Sequence, residues 1–324
     1  MLRILYGTAG TGKSAAIMDE IRRGADSGER YILLVPEQYS HEAERELCAV
    51  CGDGLSLYAE VLSFTGLARE ISSECGGAAN EYLDKGGRLL CMALAADGLY
   101  SRLRVYGAAR RKAELQTMLL GAVDEFKSAC VTSERLLDAA ETCEGALGDK
   151  LHDLGLILEA YDGVVANGRA DPYDRLSVLA QQIGQCSMSE RTHVFVDGFT
   201  DFTAQERRVL EALLLKGVRL TVCLGCDELH GGSEVFALSR ITASALLKFA
   251  ADNGIKAQTE RRDGESIKAK PLGEFCENMF SYRAVEAGDA QGRIKIISAA
   301  DTNAECEFAA AEAAVSYTNL RAHE

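Results

Sequence analysis

Short apolar-rich runs alternate along the chain with longer stretches in which apolar residues recur every three or four positions. The runs are Leu2 to Tyr6, Tyr31 to Val35 (ending at Pro36), Leu55 to Phe64, Thr192 to Val196, Val218 to Leu224 and Arg293 to Ser298. The continuous run Tyr31 to Val35 marks a strand buried on both faces, as in a parallel sheet, and Val218 to Leu224 reads as another buried strand. Between them the spacing turns helical. Ile17 and Ile21 lie four apart, residues 37–51 read as a helix, and Thr203-Ala204-Gln205-Glu206 is a capping box opening a helix through Leu215. Thr302-Asn303-Ala304-Glu305 reads as a second such box, with a helix to about Val315. Strand and helix in this alternation predict an α/β fold, a parallel sheet with helices on both sides.

Residues 66–185 interrupt that pattern. Leu115, Met118, Leu119, Ala122 and Phe126 follow helical spacing, as do Leu151, Leu154, Leu158 and Tyr161. The stretch predicts an all-helical insertion of about five helices, with a break at Asp171-Pro172 near its end. Residues 228–291 are less regular. The final strand and helix cannot close a core alone, so they are expected to open a further domain that is cut short.

Composition narrows the class. The 324 residues are 47% hydrophobic and 26% charged, enough for two or three globular domains. No apolar run reaches membrane-spanning length, and residues 1–6 lead directly into a glycine-rich loop, so no leader or membrane anchor is expected. Eleven cysteines without a secretory signal point to a reducing, cytoplasmic setting with free thiols. A net charge of −14 argues against wrapping DNA by charge alone. The small basic clusters (Arg102, Arg104, Arg110, Arg111 and Lys112; Arg207 and Arg208) read as solvated helix faces. Cys48/Cys51 and Cys223/Cys226 are two C-x-x-C pairs, but one falls on a helix and the other in a buried strand. Core thiols are the better reading than a zinc site. The five histidines form no local motif.

The candidate chemistry lies behind the first strand. Gly7-Thr8-Ala9-Gly10-Thr11-Gly12-Lys13-Ser14 fits G-x-x-x-x-G-K-[ST] at every fixed position. Backbone N–H groups of such a loop turn inward around phosphate, Lys13 reaches the β- and γ-phosphates, and the Ser14 hydroxyl ligates Mg2+. The helix beginning there directs its positive end at the same anion. A second acidic group should end a neighbouring buried strand, and Val194-Phe195-Val196-Asp197 supplies it. Motor ATPases usually follow that Asp with a Glu that orients the attacking water; here Gly198 follows. Binding of ATP and Mg2+ with weak or absent hydrolysis is therefore expected, and Gly198→Glu is expected to raise turnover.

Several segments together resemble the N-terminal part of the B subunit of the AddAB-type ATP-dependent helicase–nuclease. They are the loop Gly7–Ser14, Val35-Pro36-Glu37-Gln38, Val61-Leu62-Ser63-Phe64, Asp171-Pro172-Tyr173-Asp174-Arg175-Leu176, the run from Val196-Asp197-Gly198-Phe199 through Phe202-Thr203-Ala204-Gln205-Glu206, and Asn303-Ala304-Glu305-Cys306-Glu307. The resemblance implies a UvrD-like superfamily 1 helicase fold. Residues 1–65 and 190–227 would form a RecA-like P-loop domain, 66–189 its helical insertion, and 228–324 the truncated start of a second RecA-like domain. It places Gln38, Ser63 and Phe64 where single-stranded DNA crosses, and Leu224-Gly225-Cys226-Asp227 on the sensor strand. It implies an AddA-type partner that drives translocation, single- and double-stranded DNA as ligands, and an iron–sulfur cluster confined to a C-terminal nuclease domain outside this sequence. Its function would be double-strand-break processing in repair and recombination. Two other readings stay open: an active superfamily 1 ATPase using another base such as Glu206, and an unrelated P-loop kinase or transferase with a helical lid.

Overall fold

The computed structural model describes residues 1–52, 54–76, 82–263, 270–278 and 294–321. It divides into two compact units, Met1–Glu265 and Ser266–Glu324.

The first unit is built on six parallel strands: β1 (Leu2–Gly7), β2 (Arg30–Leu34), β3 (Ala59–Leu62), β4 (Thr192–Val196), β5 (Arg219–Gly225) and β6 (Ala257–Arg261). Their order across the sheet is β3-β2-β4-β5-β1-β6. Parallel neighbours need crossover connections, and helices supply them. These are α1 (Lys13–Arg23), α2 (Ser40–Cys51), α3 (Phe64–Glu74), α8 (Arg175–Gln182), α9 (Ala204–Leu215) and α10 (Ala237–Asp252), with four further helices inserted between α3 and α8. Successive strand residues face opposite layers. Leu5, Leu33, Phe195 and Cys223 pack with Ile17 and Ile21 of α1. Ile4, Leu34, Val196 and Val222 pack with α3, α8, α9 and α10 on the other side. Helices cover both faces of the central strands, which explains their apolar-rich sequences.

The insertion is smaller than expected. Its own core is formed by α4 (Lys85–Gly98), α5 (Ala113–Ser128), α6 (Ser133–Thr142) and α7 (Ala146–Val165), around Met92, Leu119, Val123, Ile157 and Tyr161. Helices α3 and α8 instead bury Leu67, Ile71 and Leu179 against the sheet, with Ile183 from the 3-10 turn after α8. The chain leaves and returns at one point: Tyr82 bridges Ala170, and the Leu83 amide donates to the Ala170 carbonyl at 2.9 Å.

Three boundaries differ from expectation. The third strand is only Ala59–Leu62, because Leu55–Leu57 form a 3-10 turn and Ser63 caps α3. Residues 228–263 do not begin a second domain: α10 packs on the first sheet and β6 pairs with β1, extending that sheet at its edge. The described residues of the second unit hold two helices, α11 (Lys270–Asn278) and α12 (Thr302–Arg321), and no strand. The expected strand 293–298 is not formed at 294–298, and Arg293 lies outside the described residues. Asp301 caps α12, its Oδ1 accepting from the Ala304 amide at 2.9 Å, in place of the expected Thr302.

Candidate nucleotide site

The loop Gly7–Ser14 joins the carboxyl end of β1 to α1. Its shape depends on glycine at three positions. Gly10 and Gly12 sit at φ 87° and 77°, in the left-handed region that only glycine enters at little cost. Gly7 is constrained by space: a Cβ there would lie 2.6 Å from the Arg262 carbonyl oxygen and 2.7 Å from Thr11 Oγ1. Thr11 Oγ1 donates to Thr8 O at 3.0 Å. Lys13 Nζ arches back and donates to Gly7 O at 2.7 Å and Thr8 O at 2.8 Å. Helix α1 starts at Gly12 with no side-chain cap and no acid in its first turn. Its first amides are therefore oriented donors without a local carboxylate, the arrangement that suits an anion.

Asp197 follows β4, its amide donating to Leu34 O at 3.0 Å. One strand, β5, separates β4 from β1, and it carries Cys223. Burial first, then Asp197, push the Cys223 thiol well above its ordinary value, while Lys13 acts in the opposite direction. Both charges thus bear on one buried sulfur, at the same end and on the same layer of the sheet. Ser14 and Asp197 offer hard oxygen donors of the kind Mg2+ requires.

The residues around this pair have other commitments. Gly198 has φ 82°, and a Cβ on it would approach Pro36 Cδ to 3.2 Å. Glu206 closes the expected capping box, with Oε2 accepting from the Thr203 amide at 2.8 Å and from Thr203 Oγ1 at 3.0 Å. Asp227 accepts from the Glu228 amide at 2.7 Å and the Ser233 amide at 2.8 Å, and faces Arg240 at 3.4 Å. Buried Gln205 donates from Nε2 to Tyr173 O at 2.7 Å and Ser177 Oγ at 3.0 Å.

Of the three residues expected to meet DNA, only Gln38 is exposed, in the 3-10 turn Glu37–Tyr39. Ser63 and Phe64 are buried. Ser63 Oγ accepts from the Gly66 amide at 3.1 Å. The Phe64 ring packs against Phe199 and Phe202, centroids 5.5 and 6.3 Å away. Their reason for being where they are is helix capping and core packing.

One polar centre draws its partners from distant parts of the chain. Asp171, with a side chain 0% exposed, accepts from Tyr161 Oη at 2.8 Å and the Tyr173 amide at 3.0 Å, and pairs with Arg88 at 3.1 Å and Lys127 at 3.4 Å. Arg88 also pairs with Asp124, and Lys127 with Asp162 and Asp174. The cations come from α4 and α5, far from Asp171 in the chain, so spacing could not reveal them. The signal that could was the polar segment Asp171–Arg175. All eleven cysteines are free, with Cys48 and Cys51 on α2, Cys223 on β5 and Cys226 just after it. Among the described residues no group of three or more potential ligands could hold a metal ion, and no helix is long and apolar enough to cross a membrane.

The sheet order, the glycine loop after β1 and the helical excursion between β3 and β4 define a RecA-like α/β fold with a helical insertion. Within that class the chain belongs to the family described as ADDB, N-terminal, whose model matches residues 4–273. It is similar to proteins named as the B subunits of ATP-dependent helicase/deoxyribonucleases. One, from Desulforudis audaxviator (strain MP104C), is 33% identical over 327 residues, covering 96% of this chain and 28% of the relative. Another, from Thermoanaerobacter sp. (strain X514), is 30% identical, covering 96% and 28%. A third, from Clostridium acetobutylicum, is 30% identical, covering 87% and 25%. The chain therefore spans little more than a quarter of the length of these relatives.

Proposed function

We propose that this chain is the N-terminal region of the B subunit of an ATP-dependent helicase/deoxyribonuclease, and that it holds ATP without turning it over efficiently. On this reading the loop amides and Lys13 receive the phosphates, and Ser14 and Asp197 hold Mg2+, which screens phosphate charge when bound. The observation that carries it is the neighbourhood of Asp197. The next residue is a glycine in a left-handed conformation, Glu206 is engaged in a helix cap, and Asp227 is clamped by two amides and Arg240. Neither Glu206 nor Asp227 is free to orient a water, which favours a nucleotide holder over the active superfamily 1 motor or a P-loop kinase.

The rest of the reading follows from the relatives' names and the resemblance. The chain acts beside an AddA-type helicase–nuclease partner, in the cytoplasm, on DNA undergoing break repair and recombination. With a net charge of −14, single strands are held by local contacts rather than by overall charge. Exposed Gln38 and Tyr39 offer a hydrogen-bonding group and a stacking ring. The test is paired. Equilibrium binding of Mg–ATP should be measurable and lost in Lys13→Ala, while ATP turnover stays near background with single-stranded DNA present. Robust DNA-stimulated turnover abolished by Lys13→Ala would overturn the non-motor reading.

A further inference from the structure

Strand β6 ends against the phosphate loop. The Arg262 amide donates to Tyr6 O at 2.7 Å. Its carbonyl occupies the space that a side chain on Gly7 would need. Its side chain completes a row of alternating charge on the α1 face. Glu20 of α1 pairs with Arg3 at 2.6 Å, Arg3 approaches Glu260 at 3.9 Å, and Glu260 pairs with Arg262 at 3.3 Å. The row climbs from the amino end of β1 to the carboxyl edge of the sheet, and Arg262 is its last member. It is held by Glu260 yet remains 39% exposed.

The strand order gives this arginine a direction. Asp197 lies beyond β5 on one side of β1, and β6 lies on the other. A triphosphate on the loop with its terminal phosphate turned to Asp197 must send its nucleoside away from β4, over β6. We propose that Arg262 is the residue that meets this nucleoside, its guanidinium lying flat on the base while Glu260 fixes its orientation. A planar, delocalised cation stacks on an aromatic ring in a way that a lysine ammonium does not. This deepens the nucleotide reading of the loop and rests on it.

The experiment titrates the full chain, as wild type, Arg262→Ala and Arg262→Lys, with Mg–ATP and with Mg–tripolyphosphate, which has the phosphates and no nucleoside. ATP affinity should fall roughly tenfold in Arg262→Ala and also fall in Arg262→Lys, with tripolyphosphate affinity unchanged in both. Melting temperatures establish that each variant is folded, and Arg262→Lys, which keeps a cation beside Glu260, preserves the test if the alanine variant unfolds. Unchanged ATP affinity in the folded variants, or equal losses for both ligands, would overturn the assignment of Arg262 alone. A wild-type chain that binds neither ligand would overturn the nucleotide reading itself, and this one with it.

Discussion

A side-chain carbon on Gly198 would stand 3.2 Å from Cδ of Pro36, with the backbone at φ 82°. The residue after Asp197 is therefore glycine for two reasons, a left-handed conformation and a proline ring against it. This changes the expected result of restoring a glutamate there. Gly198→Glu should not raise ATP turnover. It should lower stability by about 1–3 kcal/mol, and Gly198→Ala, which has no carboxylate, should lose a similar amount. Thermal melts of both variants beside an ATPase assay check this; a stable Gly198→Glu protein with new turnover would contradict it.

Gly7→Ala is expected to be worse than an average glycine-to-alanine change. The added methyl meets the Arg262 carbonyl at 2.6 Å and Thr11 Oγ1 at 2.7 Å. The threonine can rotate, but the carbonyl belongs to backbone hydrogen-bonded to Tyr6 and cannot yield without unseating β6. A loss of about 1–3 kcal/mol follows from such overpacking, read by urea denaturation. Gly54→Ala, where a Cβ meets nothing within 4 Å, is the control and should change stability little.

The central strands were legible because they are buried, and burial writes apolar-rich runs such as Tyr31 to Val35. The turn from β1 into α1 was legible because its glycines stand at short, fixed spacing, and Gly10 and Gly12 take the left-handed conformation that glycine allows. What escaped the sequence was long-range. Nothing in Ala257–Arg261, exposed along most of its length, announces a strand; its pairing with β1 does. Ser63 and Phe64 read as ligand contacts, yet the fold commits them to a helix cap and an aromatic cluster. The segments that mark the family in fact touch one another: Gly198 meets Pro36, Phe199 meets Phe64, and Gln205 meets Tyr173. They form the junction joining the sheet to the insertion.

Asp171 is the anchor on the insertion side of that junction. Burial pushes its carboxyl up, but the Tyr173 amide, Lys127, Tyr161 and Arg88 outweigh burial and leave it below its ordinary value. Removing it strands two largely buried cations, Arg88 and Lys127, with part of their compensation gone. Asp171→Ala should cost about 3–5 kcal/mol. Gln205→Ala, which deletes one buried amide and its two hydrogen bonds, should cost about 1–3 kcal/mol. Both are read from denaturant midpoints, and a wild-type midpoint for Asp171→Ala would show that the network does not hold the fold.

His193 makes the first unit sensitive to mild acid. It lies on β4, with Nε2 2.9 Å from Thr221 Oγ1 and its ring stacked on Phe195 at 4.0 Å. Burial, and then Arg219 and Arg3, lower its pKa to about 3. The unfolded chain takes up the proton near pH 6.5, and the folded chain does not until about pH 3. Above pH 6.5 the residue contributes no pH dependence. Below it the unfolded state binds more protons, so stability falls with falling pH, by as much as ~1.4 kcal/mol per pH unit, until the folded state also protonates. Denaturation midpoints between pH 7 and 4.5 should show this slope in the wild type. His193→Gln, whose amide can still reach Thr221, should flatten it while lowering stability at pH 7 by about 1 kcal/mol. The same slope in both proteins would show that His193 is not its source; Asp171, whose carboxyl is held below its ordinary value, yields loss only at still lower pH.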